Sequence, residues 1–213
     1  MSMILASVNR AMPESSVLGD RTFFTAIAKL PTGDAVHVGQ LGLEGDGVGS
    51  PQHHGGPDQA VYVYGADDYA WWTRELGQPI EPGTFGENLT IEGLASADLA
   101  IGDRLAVGDA VLLEVSAPRI PCGTLAARML DGGFVKKFRA AQRPGAYTRV
   151  VATGVVQTGM PVVRVPTTDG AFALLDMFNL FYDRSAPPET FQRALRAPIA
   201  ERAREQYERL ATG

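Results

Sequence analysis

Up to about residue 165 the chain is punctuated at short intervals. Apolar runs of strand length are stopped again and again by Gly, Pro or Asp, and none is long enough for a core helix. "FFTAIAKL" (23–30), "AVYVYG" (60–65), "DRLAVG" (103–108), "AVLLEVS" (110–116), "YTRVVATG" (147–154) and "PVVRV" (161–165) all have this form, and "NLTIEG" after Glu87 reads as a further strand. Such a series predicts a β-rich barrel or sandwich. The alternating strand and helix spacing of a doubly wound sheet is missing, and no GxGxxG or GxxxxGK[ST] follows any strand.

Two helical inserts interrupt the strands. "ADDYAWWTREL" (66–76) opens on paired aspartates that suit a helix N-terminus, and a second run leads from Cys122 through "TLAARML" toward "FVKKFRAA". After Val165 the periodicity becomes helical: Ala171, Leu174, Leu175, Phe178 and Phe181, then a Pro187-Pro188 turn, then Ile199, Ala203, Tyr207 and Leu210. The expected architecture is a β-rich α+β fold, with a barrel domain over residues 1–166 and a C-terminal segment of three short helices over 167–213. At 213 residues the chain suits one large domain with such an appendage.

The charge balance removes several functions. A net charge of −5 and a pI near 5.2 provide no basic field for a nucleic-acid backbone, though a local pocket for one small anion is compatible with them. One cysteine cannot form an intrachain disulfide. The N-terminus lacks an apolar run behind a basic region, and no segment reaches membrane-spanning length, so the expectation is a cytoplasmic protein with its thiol reduced.

That thiol is the first candidate for chemistry. A lone cysteine is often a small buried hydrophobe. Cys122, however, stands in "SAPRIPCGTLAARM", between Pro121 and Gly123 and three residues after Arg119. A helix starting near Gly123 would turn unpaired N–H groups toward the sulfur, and a nearby guanidinium would further favour the thiolate. The second candidate is "HHGGPDQ" (53–59), where Gly55-Gly56-Pro57-Asp58 makes a turn that lets a ligand approach the backbone, or else an ordinary surface turn. Adjacent His53 and His54 point in different directions, so one at most faces a pocket. In "FGENLTIEG", Glu87 could accept protons and Asn88 could orient a ligand through its amide, or both could cap a turn. The Gly-Asp pairs ending at Asp46, Asp103 and Asp109 read as turn chemistry. One Cys and three His without paired spacing disfavour structural zinc. A Cys-His nucleophile, with His53 or His54 as base and Glu87 or Asn88 as orienter, stays open.

Together these clusters resemble the MOSC domain family, and more closely its stand-alone YiiM-like bacterial members. The resemblance rests on "GLEGDGVG" (42–49), "HHGGPDQAVYVY" (53–64), "FGENLTIEGL" (85–94), "IGDRLAVGDAVLLEVSAPRIPC" (101–122) and "VVATGVVQTGMPVVRV" (150–165), in the family's order. It implies a β-barrel core and a molybdenum cofactor, molybdopterin, with Cys122 as the protein ligand to the metal. Arg119 would face an anionic group of the cofactor, and His54, Gly55, Gly56, Asp58 and Asn88 would line the cleft. One departure is Gln59, where many YiiM-like sequences carry Arg; an amide keeps hydrogen bonding and loses the charge. The implied activity is reduction of a small N-hydroxylated substrate, such as a hydroxylaminopurine-type base analogue, to the amine. His54 first and Glu87 second would handle protons. Electrons would come from a separate reductase, since the chain has no flavin, nicotinamide or iron-sulfur motif. Reductase docking, folding and homodimerisation each account for the C-terminal helices. A non-catalytic cofactor carrier or maturation module, and a cofactor-independent Cys-based transferase, are the alternatives.

Overall fold

The structure, a computed structural model, describes residues 3–18, 20–52, 54–168 and 171–212. Seven strands close on themselves: β1 (Met3–Arg10), β2 (Val61–Gly65), β3 (Leu89–Glu92), β4 (Arg104–Val107), β5 (Val111–Pro118), β6 (Ala146–Ala152) and β7 (Pro161–Val165). Going round the barrel the order is β7-β4-β5-β6-β2-β3-β1, and β1 pairs with β7 to complete the circuit through Met3–Val162 and Ile4–Pro161. All these pairings are antiparallel except β2 with β3. Leu30–Thr32 extends the sheet beside β1, and Glu14–Leu18 with Arg21–Thr25 forms a separate hairpin. The expected strand over 23–30 is therefore two pieces, because the chain must leave the hairpin before it rejoins the barrel.

Strand β2 shows how the sequence sorts two cores. Side chains alternate across a strand, so in "VYVYG" Val61 and Val63 point into the barrel with Leu5, Leu113 and Val115, all buried. Tyr62 and Tyr64 point outward and are equally buried, because a second, aromatic layer covers that wall. Three helices build it: α1 (Ala66–Leu76), α2 (Gly123–Arg128) and α3 (Phe134–Ala141). Trp72, Phe85, Phe134 and Phe138 meet with ring centroids 5.2 to 6.3 Å apart. Trp72 donates its indole N–H to the Tyr64 hydroxyl at 2.8 Å, which in turn donates to the Arg143 carbonyl at 2.9 Å. The run expected after Cys122 is broken into α2 and α3, because Leu130 takes a left-handed conformation at φ 52° and a turn capped by Asp131 follows.

Three helices close the chain: α4 (Leu174–Tyr182), α5 (Pro188–Arg196) and α6 (Glu201–Ala211). They share the barrel's own core, since Leu174, Met177, Phe191, Ala194 and Tyr207 belong to the same buried cluster as the barrel valines. Polar clamps reinforce the packing: Arg149 on β6 donates to the Pro198 carbonyl at 2.9 Å, and the Ala200 N–H donates to the Ser116 carbonyl at 2.9 Å. Among the described residues no helix is long and apolar enough to cross a membrane.

A shared core makes a thermodynamic prediction. Phe191→Ala, deep in α5 and 1% exposed, should cost about 3–5 kcal/mol. It should lower one cooperative transition, with tryptophan fluorescence from α1 and far-ultraviolet circular dichroism falling together. An unchanged fluorescence transition after that substitution would mean the C-terminal helices melt independently.

Candidate functional site

Strand β5 ends at Pro118, and the next four residues, Arg119 to Cys122, cross the open end of the barrel into α2. Two prolines limit this segment, and Cys122 is extended at φ −124° and ψ 172°. Arg119 is drawn inward until it is 3% exposed. Its guanidinium lies 5.4 Å from the centroid of Phe138 and 6.0 Å from that of Tyr62, and its charge acts on the Tyr147 hydroxyl. Among the described residues no carboxylate pairs with it and its Nη1 has no hydrogen-bond partner. A buried cation in that condition is a strong anion receptor.

Cys122 is partly buried three residues away. Burial pushes its thiol up, but a hydrogen bond with the His54 side chain, the charge of Arg119 and the Leu125 N–H together outweigh that and bring it down to about 6. A value there favours the thiolate at neutral pH. His54 comes from the glycine turn expected to approach a ligand. Gly55 and Gly56 have φ of 74° and 86°, a region that side chains disfavour, and a Cβ on Gly55 would come within 2.9 Å of Val48. His53 lies outside the described residues.

These groups line one cavity of about 620 Å³. Cys122, Arg119, His54, Gly55, Gln59 and Asn88 all face it. Asn88 is held by accepting the Tyr62 N–H at 3.1 Å and donating to Asp46 at 2.8 Å. Asp46 also pairs with Lys29, itself 7% exposed, and both line the cavity wall. Asp46 was expected to hold a turn; it does receive the Ala11 N–H at 2.8 Å, but it also sets the polarity of the cavity. Burial lowers the Lys29 ammonium while Asp46 opposes that shift.

Three expected site residues do not reach the lining. Glu87 is fully buried behind Asn88 and receives the Gly83 N–H at 2.6 Å, the Thr90 hydroxyl at 2.8 Å and the Tyr69 hydroxyl at 2.8 Å to each carboxylate oxygen. Burial raises its carboxyl above the ordinary range. It is a hub that fixes the loop before β3, set back from the cavity. Asp58 faces away too: it binds Arg149 at 2.8 Å and accepts the Glu201 N–H at 2.8 Å, tying the His54 loop to α6. Gly56 lies with it in a small crevice against α6. Sequence reading missed Lys29, Tyr147 and the α6 residues Arg202 and Gln206, which also line the cavity. Lys29 ended an apolar run, and the α6 pair read as the polar face of an amphipathic helix.

Residues 50–163 match the MOSC domain. The chain belongs to the MOSC domain family. Among curated proteins this MOSC chain is 37% identical to YflK of Bacillus subtilis over 72% of its own length and 69% of that protein. It is 33% identical to YiiM of Escherichia coli over 65% of its length and 62% of that protein. It is 36% identical to a Gibberella moniliformis protein named "Reductase", of which it spans 23%. The crystal structure of YiiM from Geobacillus stearothermophilus superposes with a TM-score of 0.81 at 27% identity, over 98% of this chain and 99% of that one.

Two outcomes test the site's physics. Iodoacetamide alkylation of Cys122 should be half-maximal near pH 6, falling as pH drops through that value because the thiol is the weaker nucleophile. His54→Ala should move the midpoint upward. Glu87→Ala leaves several buried donors unpaired and should lower stability by about 3 kcal/mol, read as a fall of roughly 10 °C in melting temperature.

Proposed function

We propose that this MOSC protein holds a molybdenum-bearing pterin in the cavity with Cys122 as ligand to the metal, and reduces N-hydroxylated small molecules to amines. One observation carries the reading: a cysteine whose surroundings favour the thiolate and a buried guanidinium, its Nη1 without a partner among the described residues, line the same cavity. The residues fit the cofactor on three counts. A thiolate is the soft ligand such a metal takes, and it needs no further deprotonation. Arg119 offers a fork of donors to a phosphate or other oxyanion. A space of about 620 Å³ is within the usual range for a ligand of this size. Among the described residues no three His, Cys, Asp or Glu side chains converge on one point, which suits a metal that arrives with most of its ligands already in place.

The overall conversion is R–NHOH + 2 e⁻ + 2 H⁺ → R–NH₂ + H₂O. When bound, the cofactor supplies the two-electron couple. The protein's share is binding and proton handling. Arg119 anchors the anionic end, the aromatic layer behind it keeps water from the guanidinium, and Asn88 and Gly55 shape the wall. His54 is the side chain placed to hold and pass a proton in the cavity. Electrons come from a separate redox protein. The name carried by the Gibberella relative, of which this chain spans 23%, supports a reductase.

Protein expressed in cells that make the pterin should contain near-stoichiometric molybdenum, and protein from cells unable to make it should contain none. The loaded protein should turn N-hydroxylated purines into amines with a chemical electron donor. Cys122→Ser should cut that rate on the order of 100-fold and alter the metal's spectrum. Molybdenum without turnover would identify a carrier. Full activity without molybdenum would sink the reading.

A further inference from the structure

The chain carries a net charge of −5, yet residues 128–143, from the end of α2 through α3, hold five cations and one carboxylate. The two sides of α3 differ sharply. Phe134 and Phe138 are buried in the aromatic layer, whereas Lys136, Lys137 and Arg139 are exposed. Lys137 pairs with Asp131 at 2.9 Å, the guanidinium of Arg139 lies 4.1 Å from the centroid of Tyr182, and Arg143 is drawn to buried Asp68 at 2.6 Å. Among the described residues Arg128 and Lys136 make no ion pair.

Leu130 stands between the two helices. It is 79% exposed, and its φ of 52° lies in the left-handed region that a branched side chain disfavours. Glycine would take that conformation without strain and remove the exposed apolar surface. An apolar side chain held upright among cations, at a cost to the isolated chain, has the character of an anchor for a partner.

This face backs onto the candidate site. Cys122 opens α2 and Arg128 ends it, about 9 Å along the axis. Phe138, on the inner side of α3, lies 5.4 Å from the Arg119 guanidinium. Tyr182, covered by Arg139, meets Phe181 of the cavity lining with ring centroids 5.1 Å apart. We propose that the basic face of α2 and α3 around Leu130 docks a small acidic electron-transfer protein, which delivers electrons beside the helix that starts at Cys122. The assignment rests on the reductase reading and adds the partner's charge and its seat. With a one-electron donor D the balance is R–NHOH + 2 D(red) + 2 H⁺ → R–NH₂ + H₂O + 2 D(ox). An anionic lipid surface fits less well, because Leu130 is the one exposed large apolar side chain described in residues 123–143 and gives a bilayer little to bury.

The probe is plant-type ferredoxin, a small acidic one-electron carrier, with the full-length protein purified with its cofactor. Three variants are compared: the charge reversal Lys136→Glu with Lys137→Glu, the anchor deletion Leu130→Gly, and a control with the same change of charge on α5 and α6, Arg196→Glu with Arg209→Glu. Calorimetry with oxidised ferredoxin should show wild-type binding that weakens from low salt to physiological ionic strength, and a loss of about tenfold or more in the charge reversal at low salt. Leu130→Gly should also weaken binding while its melting temperature holds or rises, which a merely structural leucine would not do. The control should bind like the wild type. In turnover of an N-hydroxylated purine, the first two variants should slow reduction driven by reduced ferredoxin by about tenfold and leave the rate with dithionite unchanged. Charge-dependent binding in a protein that reduces nothing with either donor supports the surface and removes the reductase reading. Turnover with dithionite, combined with equal ferredoxin binding by wild type and charge reversal, overturns the surface and keeps the reductase. A wild type that ignores ferredoxin, or that instead binds phosphatidylserine vesicles through these lysines, also overturns it.

Discussion

A guanidinium taken out of water with no carboxylate beside it among the described residues is the constraint around which the cavity is arranged. Charge burial of that kind is tolerated only where polarisable or hydrogen-bonding neighbours replace solvent. For Arg119 they are the faces of Tyr62 and Phe138 and the Tyr147 hydroxyl. The aromatic layer that supplies two of those neighbours exists because β2 alternates valine with tyrosine, so one strand serves two cores. Remove the outer layer and the cation loses its walls; remove the cation and the Cys122 sulfur loses part of what keeps it ionised. Packing and reactivity are thus the same set of contacts seen from two sides.

Around this centre, residues set back from the cavity decide where the lining residues stand. Glu87 gathers N–H and O–H donors from Gly83, Thr90 and Tyr69, so that the adjacent Asn88 is fixed against Tyr62 and Asp46. Asp103, whose partners do not line the cavity, is a hub of the same kind, taking the Thr167 N–H at 2.9 Å and pairing with Arg164 at 2.7 Å. Such groups are as demanding as any site residue, because each holds several polar atoms away from water.

Much of this was legible in the sequence. The strand pattern predicts a barrel or a sandwich because both need short, regularly interrupted apolar runs, the closed circuit decides for the barrel, and α1 falls on the predicted residues, Ala66–Leu76. Cys122 and Arg119 stood out because prolines and a glycine frame them. Other features were hidden for physical reasons. Glu87 carries the side chain of a proton donor, and only its burial distinguishes a hub from a catalyst. Gln206 sits beside Tyr207 in a helix whose apolar stripe explained every turn, so nothing in the local pattern marks it as part of a cavity wall. Lys29 depends on Asp46, seventeen positions away, a pairing no spacing rule predicts.

The clamp at Asp58 has a consequence for how the molecule is made. One carboxylate oxygen is held by Arg149, 91 residues downstream, and the other by the N–H of Glu201, 143 residues downstream. A chain growing from the ribosome can close most barrel strands before α6 exists, since domains form as their residues emerge. The loop bearing His54 and Gln59 gains its second anchor only once α6 has been made. The wall of the ligand cavity is therefore completed by a segment far along the chain from the strands it covers, and by the same helices that fill the barrel's core.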